Sequence, residues 1–193
     1  MDNRLNSTTS SSSTNLMIRE EPNIHVELTY NHLSATSTLD RVKSPKAGAV
    51  VLFAGTTRDT FSNLPVQRLV YQSYAPLALN TLLSIARQIH KKHSLVAISI
   101  IHRLGECPVG EESILIAVSA PHRQAGWRAG EECLELVKEK AEIWKLEEFG
   151  GEGEEKGVWR ANRDGKMGVR VGDSMDAVNG VESRTEGPTK HES

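Results

Sequence analysis

Ser119-Ala-Pro-His-Arg-Gln-Ala-Gly-Trp-Arg-Ala-Gly-Glu-Glu-Cys-Leu-Glu-Leu-Val-Lys138, continued by Glu-Lys-Ala-Glu-Ile-Trp-Lys145, is the stretch on which the reading of this chain turns. It begins where the apolar run Ile114 to Val118 stops and the polar pair His122-Arg123 appears. Beyond the pair, Ala129, Cys133, Leu136 and Val137 recur at i, i+4, i+7 and i+8, one apolar stripe of a helix that buries a single face. Lys138 and Lys145 stand seven residues apart. If the helix ran through both, seven steps of roughly 100° would return them to nearly the same face. A strand end supplying His and Arg, followed by a helix delivering two lysines, makes a cationic pocket suited to an anionic substrate.

Working outward, the upstream segments read as alternating strands and helices. Ile24, Val26 and Leu28 alternate with His25, Glu27 and Thr29, a half-buried strand. Leu33 to Val42 suggests a short helix ending before Pro45. The continuous apolar run Ala49 to Ala54, bounded by Gly48 and Gly55, predicts a central strand with both faces covered. Its exit is Gly55-Thr-Thr-Arg58. A further strand spans Val66 to Tyr71, reached through the turn-like Ser62-Asn-Leu-Pro65.

After Pro76, apolar residues Leu79, Leu82, Leu83, Ala86 and Ile89 fall at helical spacing. The proline suits a first turn. The basic end Arg87, His90, Lys91, Lys92 and His93 suits the negative C-terminal dipole. Leu95 to Ile101 reads as a strand that pairs as a hairpin with Ser113 to Val118, across the turn-rich His102 to Gly110. Downstream, Phe149 to Gly157 reads as a solvated loop and Val158 to Ala161 as a short closing strand. The ends, 1–22 and 165–193, are polar with almost nothing to bury and read as disordered tails around one domain at 23–164.

The chain's 193 residues are 38% hydrophobic and 25% charged, with a formal net charge of -2. That length suits one domain with a core, and the near-neutral balance gives no global attraction to nucleic acid or acidic membranes. Any anion must therefore be recognised locally. Only Cys107 and Cys133 occur, without CxxC or zinc-ligand spacing. No metal or cofactor is expected. With no signal peptide and no apolar run of membrane length, a soluble cytoplasmic protein is the expectation.

Each candidate has a plainer alternative. His122-Arg123 offers a titratable ring and a guanidinium fork at a helix start, where anions bind, or it simply faces water. Lys138 and Lys145 can serve as nucleophile or acid once their surroundings tune them. They could equally belong to a solvated face on which Glu135, Glu139, Lys140 and Glu142 form i,i+4 pairs. Trp144 could wall a pocket or fill the core. Gly55-Thr-Thr-Arg58 ends a buried strand, where α/β proteins commonly hold ligands, but it lacks the Gly-Lys-Ser/Thr ending of a phosphate-binding Walker loop. Cys133 belongs to the core stripe, and Cys107 lies in a turn.

Taken together, Gly48 to Arg58, Tyr71-Gln-Ser-Tyr74, Ile101-His-Arg-Leu-Gly105, Ser119-Ala-Pro-His-Arg123, and Lys138 through Ile143-Trp-Lys-Leu-Glu147 resemble the catalytic (large) subunit family of molybdopterin synthase. The matching pieces occur in family order and spacing from about Ile24 to Asp164. The resemblance implies an α/β hammerhead fold with an additional small antiparallel β subdomain, assembled as a central homodimer within a heterotetramer. A small ubiquitin-like sulfur-carrier subunit would dock at each end and insert its Gly-Gly thiocarboxylate. The implied reaction transfers two sulfurs to cyclic pyranopterin monophosphate, giving molybdopterin for molybdenum cofactor biosynthesis.

The same resemblance makes Lys138 and Lys145 the catalytic lysines. Arg58, His122 and Arg123 would bind the substrate phosphate or the carrier terminus, the His-Arg pair coming from the partner protomer, and Glu147 would orient the site. Leu146 occupies a substrate-binding position where many relatives carry a basic residue. Lys140-Ala-Glu-Ile143 lacks a proline that relatives often have. Two rival readings are a non-catalytic module that clasps a ubiquitin-like tail, and a persulfide sulfurtransferase using Cys107.

Overall fold

A computed structural model of the chain describes residues 17–150, 158–161 and 169–170. Its framework is a five-stranded sheet in the order β1-β2-β6-β8-β3. Here β1 is Ile18–Glu21, β2 Ile24–Thr29, β3 Ala49–Thr56, β6 Ala97–Arg103 and β8 Glu112–Ala120. β2 and β6 run parallel, and the other neighbours are antiparallel. Helix α1 (Ala35–Val42) covers one face, where Val42 meets Ala97, Ala117 and Leu52. Helices α2 (Ala75–Lys92) and α3 (Arg123–Lys140) cover the other, over Ile98, Ile100, Ile116 and Val118. Odd and even residues of one strand thus feed two different helical layers, as the two-residue period of a strand requires.

A second sheet stands beside the first. β5 (Leu64–Ser73) is flanked by β9 (Ile143–Phe149) and by β7 (Gly105–Pro108). β4 (Thr60–Phe61) folds back on the start of β5, while β10 (Val158–Ala161) and β11 (Val169–Arg170) extend the β9 edge. This is an α/β fold with a small antiparallel subdomain.

The expected strands and helices are found, with six differences. The run Ala49 to Ala54 has helices against both faces but forms an edge strand, paired among the described residues with β8 alone. Apolar continuity reports covered faces and not the number of strand neighbours. Residues 105–108 of the supposed turn form β7, because β5 offers them a free edge. Likewise β9 runs on through Phe149, into the segment read as loop. β1 lies inside the segment 1–22, anchored by a hairpin on β2 in which His25 bonds Glu20 at 2.7 Å and Glu27 at 3.1 Å. β11 lies inside 165–193 and pairs with β10. Residues 1–16, 165–168 and 171–193 of the two predicted tails fall outside the described residues.

The decisive difference concerns the lysine helix. α3 stops at Lys140, because Ala141 turns to an extended conformation (ψ 135°) and the chain enters β9. Ser73 Oγ donates to the Glu142 carbonyl at 2.9 Å, and Thr81 Oγ1 donates to the Glu142 carboxylate at 3.1 Å. The turn is therefore pinned to β5 and α2. Lys138 and Lys145 do not share a helix face.

Candidate active site

A cleft of about 670 Å³ is lined by residues of both sheets and of the end of α3, among them Arg58, Lys138, Lys145 and Glu147. The helix argument for the lysines fails, yet both lysines reach the same space. Lys138 arrives from the last turn of α3, and Lys145 from the third position of β9. Arg58 arrives from the loop leaving β3. A volume of this size lies in the range of small-molecule sites.

The arginine loop is held by backbone as much as by side chain. Thr57, buried, donates its N–H to the Glu111 carbonyl at 3.0 Å and accepts from the Gly110 N–H at 2.9 Å. Its hydroxyl donates to the Cys107 carbonyl at 3.2 Å. Just before it, the β3–β8 register shifts between Gly55 and Thr56. A Cβ on Gly55 would sit 2.7 Å from Ile114 Cγ2, so glycine is required by close approach there. The Ser113 hydroxyl donates to the Gly55 carbonyl at 3.2 Å. With its neighbours fixed, Arg58 is presented at the cleft rim.

β9 alternates. Lys145 and Glu147 face the cleft, and Lys145 Nζ lies 3.3 Å from Glu147 Oε1, with the glutamate side chain only 2% exposed. A buried carboxylate is tolerable only with a charged or hydrogen-bonding partner, and the lysine supplies one. Trp144 and Leu146 occupy the alternate positions on the opposite face of the strand. Leu146 therefore stands outside the cleft, contrary to its expected place among the substrate-binding residues, and Trp144 does not wall it.

His122 and Arg123 are not in this cleft. They open α3 at its far end and line a separate surface concavity with Gln124, Trp127 and Arg128. Strand β8 and the length of α3 carry the two groups to opposite ends of one helix. Within a single chain, the cationic set is Arg58, Lys138 and Lys145 without the His-Arg pair.

Two cleft residues carry no role in the sequence reading. Tyr71, 5% exposed, and His102, 1% exposed, meet edge to face at a centroid distance of 5.0 Å and an interplanar angle of 73°. His102 Nδ1 bonds the Arg103 carbonyl at 2.7 Å, and burial lowers the imidazole pKa to about 4. The ring is neutral at physiological pH, so Nδ1 carries the proton and donates. Burial likewise pushes the Tyr71 phenol up to about 12. The available signal was the alternation Leu69, Tyr71, which puts both on the same face of β5.

The cysteines separate in the same way. Cys133 is core, with its thiol pushed up to about 12 by burial. Cys107 sits on strand β7 and not in a turn, fully buried, and burial raises its thiol pKa as well. Such a thiol is disfavoured as a thiolate nucleophile.

An α/β chain that brings Arg58, Lys138, Lys145 and Glu147 to one cleft defines a class of protein able to stabilise negative charge there. Comparison with known proteins sets the family within that class. The family model described as "MoaE protein" matches residues 28–140. The molybdopterin synthase catalytic subunit of Neurospora crassa is 66% identical over 151 residues, covering 78% of this chain and 72% of that protein. The crystal structure of molybdopterin synthase from Staphylococcus aureus superposes with a TM-score of 0.63 at 30% identity, over 69% of this chain and 94% of that one. A complex of subunits 1 and 2 of the molybdopterin-converting factor from Helicobacter pylori shares the fold, with a TM-score of 0.54 at 21% identity, over 63% of this chain and 83% of that one. The chain belongs to the MoaE family, that of the molybdopterin synthase catalytic subunits. No helix among the described residues is long and apolar enough to cross a membrane.

Proposed function

We propose that this chain is the sulfur-transferring subunit of a molybdopterin synthase. It takes sulfur from the C-terminal thiocarboxylate of a small ubiquitin-like carrier and places it on cyclic pyranopterin monophosphate. The observation that carries the reading is the convergence of Arg58, Lys138, Lys145 and Glu147 on one cleft from a loop, a helix end and a strand. Both substrates are anionic, and the transfer develops a tetrahedral oxyanion at the carrier's terminal carbonyl. Fixed cations in a partly dry cleft stabilise such charge most when they need no reorganisation.

Residue roles follow from position. Arg58, at the rim, holds the substrate phosphate or the carrier's terminus, since a guanidinium fork matches either. Lys138 and Lys145 flank the reacting carbon, one as electrostatic partner of the oxyanion, the other as nucleophile or proton donor. Glu147, ion-paired with Lys145 at 3.3 Å, orients that ammonium. His122 and Arg123 line their own concavity at the other end of α3, which favours their serving the cleft of a second copy in a homodimer. A small subunit at each end would complete a heterotetramer, in line with the two-subunit complex described for the Helicobacter pylori protein.

Reconstitution tests the reading. Purified chain, thiocarboxylated carrier and cyclic pyranopterin monophosphate should yield molybdopterin, and Lys138→Ala should not. Carrier binding without product from the wild-type chain would leave a non-catalytic clasp and overturn the proposal.

A further inference from the structure

We infer that Tyr71 is a positioning residue of this site, joining the strand that carries Lys145 to the loop that carries Arg58. The inference rests on the reading of the cleft given above. In the β5–β9 ladder Tyr71 lies directly opposite Lys145, and Glu147, opposite Leu69, is the diagonal neighbour on the same face. Side chains directly opposite in an antiparallel pair stand about 4.5–5.5 Å apart at Cβ, and diagonal ones remain within reach of an aromatic ring. The Tyr71 ring thus forms the floor beneath the lysine–glutamate pair.

That floor is itself fixed. Behind it the neutral His102 ring packs edge-on at 5.0 Å, and His102 is locked by its bond to the Arg103 carbonyl at 2.7 Å. His102 pairs across the sheet with Ile114, and Ile114 with Gly55, while Ser113, which lines the cleft with Tyr71, donates its hydroxyl to the Gly55 carbonyl at 3.2 Å. Gly55 stands three residues before Arg58, on the closely packed stretch described above. Lys145, Tyr71, His102, Ile114 and Gly55 are thus successive neighbours, by strand pairing and by the ring contact, from the lysine wall to the arginine rim. The buried phenol keeps its proton throughout the physiological range, so it acts by shape and hydrogen bonding and not by titration.

The two ends of Tyr71 have separable consequences. Tyr71→Phe keeps the ring beneath Lys145 and removes the hydroxyl. We expect kcat within about twofold of wild type and a several-fold higher KM for the pyranopterin precursor, because only the Arg58 loop is released. Ser113→Ala should reproduce that KM effect, and the double variant should be no worse than either single one. Tyr71→Leu removes the ring as well and should lower kcat by tenfold or more, measured at saturating thiocarboxylated carrier and well below the variant's melting temperature. Equal kcat for Tyr71→Leu and wild type overturns the inference. So does an equal loss of kcat in Tyr71→Phe and Tyr71→Leu, which would reduce Tyr71 to a fold-stabilising residue. Lys145→Ala run alongside separates the two levels. Normal turnover in Lys145→Ala removes the role given to Lys145 and the positioning role with it. An inactive Lys145→Ala beside a normal Tyr71→Leu overturns the positioning role alone.

Discussion

Lys145 and Glu147 lie on the same face of one strand, with Nζ 3.3 Å from Oε1, the carboxylate buried and the ammonium turned toward the cleft. A strand delivers this geometry directly, because residues i and i+2 project from the same side. The pair shares the β5–β9 ladder with Tyr71, so its orientation is set by a buried neighbour and not by solvent. Glu147→Gln should keep the shape and remove the charge. Turnover is expected to fall by tenfold or more, with a loss of roughly 1.5–3 kcal/mol in stability from the lost charge-assisted bond. Chemical denaturation and the reconstitution assay, run on the same preparation, check both.

Gly55→Ala probes the arginine rim. The added Cβ would meet Ile114 Cγ2 at 2.7 Å, at the point where the β3–β8 register shifts. Relief requires Ile114 or the loop to move, and overpacking of this kind costs about 1–3 kcal/mol. Precursor affinity should fall together with stability, because Arg58 follows three residues later. A crystal structure of the variant should show the displaced segment 56–58.

Acid sensitivity provides a separate check on the buried imidazole. His102 has a folded pKa of about 4, below the ordinary value of 6.5, because burial penalises its charged form. The unfolded chain therefore binds the extra proton first as pH falls. Stability contributed by keeping His102 neutral is fully present above pH 6.5 and is lost as pH falls from 6.5 toward 4, by about 3 kcal/mol at most. The depressed carboxylates Glu21, Glu27 and Glu132 act lower, their contributions fading as pH falls below the ordinary 4.5. Unfolding free energies measured between pH 7 and 5 should decline in the wild type. They should stay nearly level in His102→Leu, at a lower overall value.

The two sheets differ in how far the sequence reveals them. The β6 and β8 strands are legible as apolar runs because helices cover both of their faces, and the α3 stripe is legible because one buried helix face imposes a period on the sequence. β7 and the extension of β9 are not, since both owe their existence to the free edges of β5 and carry no period of their own. The cleft follows the same division. Arg58, Lys138, Lys145 and Glu147 are visible as charged residues beside apolar runs. Their meeting place depends on a turn at Ala141 that reverses the expected helical geometry, and on long-range pairing that local pattern does not encode. Tyr71 and His102 escape notice for the opposite reason. They look like core residues, and they are, although the core at that point is also the floor of the cleft.

Cys107→Ala should leave sulfur transfer within about twofold of wild type. The thiol is fully buried, accepts the Thr57 hydroxyl at 3.4 Å, and is raised by burial away from the thiolate form. Its loss should cost roughly 1–2 kcal/mol of stability, through packing and the Thr57 contact. Inactivation of Cys107→Ala with an unchanged melting temperature would instead give the thiol a part in the transfer and overturn this expectation.

The separation of His122-Arg123 from the lysine cleft leads to the most discriminating prediction. Each chain presents Arg58, Lys138 and Lys145 in one concavity and His122, Arg123 and Arg128 in another, at opposite ends of α3. If the second concavity completed nothing, Arg123→Ala would behave as a surface change, within about 0.5 kcal/mol in stability and without effect on turnover. If it completes the cleft of a second copy, Arg123→Ala should weaken substrate binding about ten- to hundredfold, the effect of losing one charge-assisted contact. Lys138→Ala should abolish turnover outright. Lys138→Arg, which keeps charge but neither nucleophile nor easily lost proton, should fail nearly as badly. The two defects then reside in different chains of the same site. Mixing Arg123→Ala with Lys138→Ala subunits produces hybrid dimers in which one cleft carries both lesions and the other carries neither. Turnover should return to at most half the wild-type value per hybrid dimer, with hybrids separated by differently tagged chains. Verified hybrids that remain inactive would place the pair outside the shared site, and the anion contacts of the cleft would then have to come from Arg58 and the lysines alone.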